Sequence, residues 1–74
     1  DRDLERKERA ARVQDALGTL SERDREVLVL RHFEELTNVE AARELGIEPA
    51  AASKRYVRAL MRLKKILREV LTST

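Results

Sequence analysis

The 74-residue chain has no cysteine and no tryptophan, and only one proline, two glycines, one phenylalanine and one tyrosine. Without cysteine, disulfides and thiolate metal sites are excluded, and a reducing compartment is the default. His32 is the single histidine, with no second histidine or cysteine to share a metal. Glu34 and Glu35 are adjacent and do not converge as a helical i,i+4 pair. A catalytic, metal or cofactor site is therefore not expected, and the chain reads as a non-enzyme. No apolar run approaches the roughly 20 residues that span a bilayer, and the charged start does not resemble a signal peptide. The expectation is a cytoplasmic protein with no membrane partner. It begins at Asp1 rather than methionine, as expected of a piece cut from a longer protein.

Charge is abundant but unevenly placed. Residues 1–48 carry nine Lys/Arg against thirteen Asp/Glu, a net of −4. Residues 49–74 carry seven Lys/Arg against the single acid Glu69, a net of +6. A chain polarised in this way offers one face to a polyanion and another to a mixed or basic partner. The same pattern on its own also fits a plain solvated surface.

Ala, Leu, Glu and Arg dominate, all good helix formers, and strand-like stretches are missing. The pattern predicts four helices. In the first, about residues 3–18, Ala10, Val13, Leu17 and Leu20 recur at helical spacing as an apolar stripe. Residues 1–9 contain only Leu4 as a large apolar residue and read as a frayed helix or linker end, ahead of a domain over 10–71 and a tail at 72–74. Ser21 can cap the second helix, with Glu22 and Asp24 near its first amides. That helix is expected to run to about His32 or Phe33, offering Val27, Leu28 and Leu30 for burial.

The run from Thr37 to Arg58 is the most informative part of the chain. Thr37 and Glu40 stand at the spacing of a capping box, opening a third helix over 38–45 that buries Ala41, Ala42 and Leu45. Gly46 is placed to end it in the left-handed conformation, and Ile47 to plug the angle that follows. Pro49 suits the first turn of a fourth helix, where its missing N–H costs nothing. No breaker appears again before Thr72. Two helices across a glycine turn, with cations on the second, form a helix-turn-helix that presents its second helix to the major groove.

The fourth helix has two faces. Ala52, Tyr56, Ala59, Leu60, Leu63, Leu67 and Val70 make the inward stripe. Tyr56 is expected in the core in preference to contacting DNA. Ala50, Ala51, Lys54, Arg55, Arg58 and Arg62 project elsewhere. The two alanines let the backbone approach a surface, and the cations after them are long enough to reach phosphates or base edges. Lys64, Lys65 and Arg68 lie farther along and read as solubilising or partner-binding charge.

The stretch LSERDREVLVLRHFEELTNVEAARELGIEPAAASKRYVRALMRLKK resembles domain 4 of bacterial sigma-70-type RNA polymerase sigma factors, and most closely the extracytoplasmic-function class. The resemblance covers about residues 10–68. It rests on Arg25-Glu26-Val27-Leu28, Glu40-Ala41-Ala42, Leu45-Gly46-Ile47 and the long basic helix through Arg58-Ala59-Leu60-x-Arg62-Leu63. It implies an all-α, four-helix domain in which the helix after the glycine turn reads the promoter element near −35. Carried onto this sequence, the groove-facing residues are Ala50, Ala51, Lys54, Arg55 and Arg58, with Arg43 and Arg31 contacting phosphate. The partners it implies are promoter DNA, the β-subunit flap of core polymerase and an anti-sigma protein. Relatives often have larger aliphatics at the positions of Ala41 and Ala52, Leu at Tyr56, a capping Ser or Thr at Glu48 and Thr at Ala51.

Two other accounts use the same residues. DNA-binding output domains of two-component and quorum-sensing regulators begin with a phrase similar to LSERDREVL, but they end the reading helix early and add another short one. Here Arg55 to Leu71 continues unbroken. A helical module that binds only protein is the remaining alternative.

Overall fold

In a computed structural model, which describes residues 1–72, four helices follow one another with no strand among the described residues. They are α1 (Arg2–Leu17), α2 (Glu22–Leu28), α3 (Asn38–Leu45) and α4 (Pro49–Thr72). A π-helical turn, Val29–Phe33, continues α2. Two residues of the expected tail, 73 and 74, lie outside the described residues, and Thr72 is the last residue of α4.

Helix α1 starts at the beginning of the chain, where Asp1 accepts from the Asp3 amide at 3.1 Å. Residues 1–9 are helical from Arg2 and wholly exposed. Only the far end of α1 meets the core: Val13, Ala16 and Leu17 are half-buried, and Leu17 packs on the central cluster. Ser21 caps α2 by accepting from the Asp24 amide.

The second helix differs from its expected form. It is α-helical only to Leu28, and the π turn carries the chain to Phe33 with Glu34 donating to the Val29 carbonyl, five residues back. Leu36 then donates to the Leu30 carbonyl at 2.9 Å, across Glu35 at φ 55. A non-glycine residue in the left-handed region is uncommon, and here it turns the chain toward α3.

Local chemistry dictates the helix-turn-helix. The Thr37 hydroxyl accepts from the Glu40 amide at 3.2 Å, and the Glu40 carboxylate accepts from the Thr37 amide at 2.9 Å. These bonds hold the Glu40 carboxyl below the usual carboxylate range, so its contribution favours the fold above that range and is lost as acid protonates it. Gly46 ends α3 at φ 68. Nothing lies within 4 Å of a Cβ built on Gly46, so any substitution penalty comes from the backbone alone. Gly46→Ala is expected to cost about 1–2 kcal/mol, the strain of an L-residue in this conformation. Chemical denaturation measures it, and an unchanged midpoint would mean that the turn relaxes out of the left-handed region.

The core is thin. Leu20, Val27, Leu28 and Ala59 form the buried cluster, with Leu45, Tyr56, Leu60, Leu63 and Ile66 packed around it in addition to Leu17. Under the helix-turn-helix the buried residues are Ala41, Ala42 and Ala52. Small side chains there let α3 and α4 approach closely, and α4 also contacts α1 and α2. At 1.5 Å per residue the 24 residues of α4 extend about 36 Å, which makes it the spine against which the others pack.

Candidate nucleic-acid interface

Helix α4 carries its cations in register. Ala51, Arg55, Arg58 and Arg62 follow at spacings of four, three and four, so they share one face of the helix, with Lys54 beside them. This face lies next to the start of α2. Together the two elements form an open cleft lined by Ser21, Arg23 and Asp24 from the α2 side and by Ala51, Lys54, Arg55, Arg58 and Arg62 from α4. The cleft therefore contains five cations and one acid.

That acid is already paired. Asp24 is only 4% exposed, and both its carboxylate oxygens lie 2.9 Å from Nη1 of Arg62. Ser21-x-x-Asp24 has the spacing of a capping box, yet the Asp24 side chain turns to α4 and ties the two walls of the cleft together. A second tie fixes the start of α4: Nδ2 of Asn38, the first residue of α3, donates to the Pro49 carbonyl at 2.9 Å. With the αL glycine between them, the two helices of the motif are linked at both the turn and their N-terminal ends.

The sequence-predicted residues separate into three groups. Ala51, Lys54, Arg55 and Arg58 gather in the cleft, with Arg55 half-buried and the others exposed. Ala50, on the first turn of α4, and Arg43, on the last turn of α3, are exposed but outside its lining. Arg31 is engaged within the fold. Its Nη1 donates to the Leu36 carbonyl at 3.1 Å, its guanidinium stacks 4.8 Å from the centre of the Tyr56 ring, and its Nε is buried without a partner. This geometry makes Arg31 a strut beneath the α2–α3 connection. Tyr56 is accordingly only partly a core residue: its ring packs on the central cluster while its hydroxyl is 2.9 Å from Nε2 of exposed His32.

Sequence reasoning missed Arg23, Ser21 as a cleft residue, and the Asp24–Arg62 pair. Arg23 is one arginine among many in the first half, and no periodicity distinguishes it. The Ser21 cap fixes the register of α2, but only the packing of α2 on α4 shows which wall Arg23 joins.

The family model described as Sigma-70, region 4 matches residues 10–63, from the second half of α1 to the third quarter of α4. The chain belongs to the Sigma-70 region 4 family. This is a family of DNA-binding domains from sigma factors and not of enzymes. No curated protein and no solved structure shows significant similarity to the chain. The match ends just past Arg62 and takes in the whole cleft, including its α2 wall. In this region 4 domain, no helix among the described residues is long and apolar enough to cross a membrane.

Proposed function

We propose that the domain recognises the −35 promoter element as part of a sigma factor of the extracytoplasmic-function class, laying the first three turns of α4 in the major groove. The observation that carries this reading is the cleft beside those turns, where the lining cations outnumber acids five to one and the one acid is paired. Arg55 and Arg58 have the length and donor geometry to bond base edges, guanine above all, while Lys54 and Arg23 neutralise phosphates on either side. Ala50 and Ala51 let the backbone of the first turn close on the groove floor. Arg43 on α3 meets the flanking phosphate backbone. Arg31 acts through the Leu36 and Tyr56 contacts and positions α3.

The domain performs no chemistry of its own. Its binding places the catalytic polymerase, and tethering to that enzyme raises the local concentration of a modest DNA-binding module. The first two helices and the distal end of α4 are assigned to the polymerase flap, and an anti-sigma protein would compete for the same surfaces. Phe33, 83% exposed at the end of the π turn and outside the cleft, suits such a protein contact.

Selection of bound duplexes from a randomised pool, with core polymerase present, tests the proposal. A single short motif should be enriched, and enrichment should depend on the polymerase. Paired half-sites recovered without polymerase would instead identify a freestanding dimeric regulator, and an unenriched pool would remove the reading altogether.

A further inference from the structure

We propose that Asp24 limits the affinity of the DNA interface, holding Arg62 out of the set of cations that contact phosphate. The inference rests on the reading of the cleft as the DNA-binding face. Arg62 stands four residues beyond Arg58 and seven beyond Arg55, on the same stripe and about 6 Å farther along α4. Its side chain is 58% exposed. By position alone it would extend the cationic face by another turn.

Asp24 prevents this. Its carboxylate is the one negative group lining the cleft, is almost fully buried, and takes both its contacts from a single Arg62 nitrogen. Helix capping does not require that carboxylate, because the cap is the bond from the Asp24 backbone amide to the Ser21 hydroxyl. The side chain is thus free for the link to α4. A phosphate contact adds affinity without sequence information. Releasing Arg62 therefore raises binding to every duplex, while the base-reading contacts of Arg55 and Arg58 stay the same. The ratio of affinities for the correct sequence and all others is unchanged, and Asp24 sets the overall affinity and its salt dependence. Pairing Arg62 with Asp24 confines the free charge to the turns that face the bases.

The test is an anisotropy titration of the chain against a short duplex of mixed sequence over a salt series, with circular dichroism to check the fold. Asp24→Asn should bind several-fold tighter at low salt, and its plot of log affinity against log salt should steepen by about 0.9, the signature of one added phosphate contact. A positioning role alone would weaken binding without steepening the plot, and that result overturns the proposal. The double variant Asp24→Asn/Arg62→Gln keeps a neutral hydrogen-bonding pair and the same net charge, and should titrate as the unaltered chain does. A plot shallower by about 0.9 in the double variant would mean that Arg62 already touches phosphate, which also overturns it. Where Asp24→Asn fails to fold, Asp24→Ser releases Arg62 with a smaller polar side chain and is read by the same slope. Lys54→Ala separates the two levels of inference. If it weakens binding while Asp24→Asn leaves the slope unchanged, only the role of Asp24 is lost. If Lys54→Ala binds as the unaltered chain does, the cleft itself has been misread.

Discussion

Leu28→Ala is expected to remove about 2–5 kcal/mol of stability, the range for truncating a buried leucine. Few substitutions of one residue should do more here. Leu28 belongs to a buried cluster whose other members are Leu20, Val27 and Ala59, so only three of the four have side chains larger than a methyl group. Among the described residues, the other buried apolar ones are Ala41, Ala42 and Ala52. A cavity at Leu28 has no second layer to collapse into it, because the surrounding Leu17, Leu60 and Leu63 are themselves half-exposed. Natural domains hold roughly 0.05–0.15 kcal/mol per residue, or about 4–11 kcal/mol for this length. The loss is therefore a large share of the total. Thermal unfolding by circular dichroism should show a midpoint lowered by about 10 °C or more. Leu71→Ala supplies the contrast: Leu71 is exposed on the last turn of α4, and its removal should stay within about 0.5 kcal/mol. Equal effects at the two positions would mean that the buried cluster is not what holds α2 to α4.

The parts of this fold that were legible in the sequence are those fixed by neighbours along the chain. Thr37 and Glu40 announce the start of α3, Gly46 its end and Pro49 the start of α4, because each residue satisfies or avoids a backbone requirement within one turn. The inward stripe of α4 was equally readable, since period and burial are tied by helix geometry; Ile66 is the member that was overlooked. The π turn after Leu28 had no such signal. It exchanges regular bonds for a fit to α3 and to the Arg31–Leu36 link, and nothing in VLRHF itself demands the exchange. The cleft was half legible for the same reason. Lys54, Arg55 and Arg58 follow from the register of one helix, whereas Arg23 joins them only because α2 packs on α4. Asp24 and Arg62 are 38 residues apart and Asn38 and Pro49 are 11 apart, so both ties belong to tertiary structure. Arg31 shows the converse limit. The family resemblance suggested a phosphate contact, and its bonds to Leu36 and the Tyr56 ring belong to tertiary structure that the sequence does not display.

Replacing both Arg55 and Arg58 with alanine should produce the largest loss of DNA binding. Each base-edge contact of an arginine is worth about 1–3 kcal/mol, so the pair should approach abolishing sequence-specific binding, less any coupling between neighbours one turn apart. The single variants should differ in kind according to what each side chain touches. An arginine on a base blurs the preferred sequence at one position, whereas an arginine on a phosphate lowers affinity for all sequences alike and makes the salt dependence shallower by about 0.9. Half-buried Arg55, more constrained by its surroundings than exposed Arg58, is the better candidate for the base contact. Lys64→Ala is the informative control. Lys64 lies six residues beyond Arg58, hence about 9 Å along the axis and about 240° around the helix, well away from the cationic stripe. Binding by a folded Lys64→Ala variant should match the unaltered chain in a promoter-fragment titration. A loss there equal to the loss at Arg55 would move the duplex to the opposite face of α4, and the cleft beside α2 could then no longer be the surface that meets it.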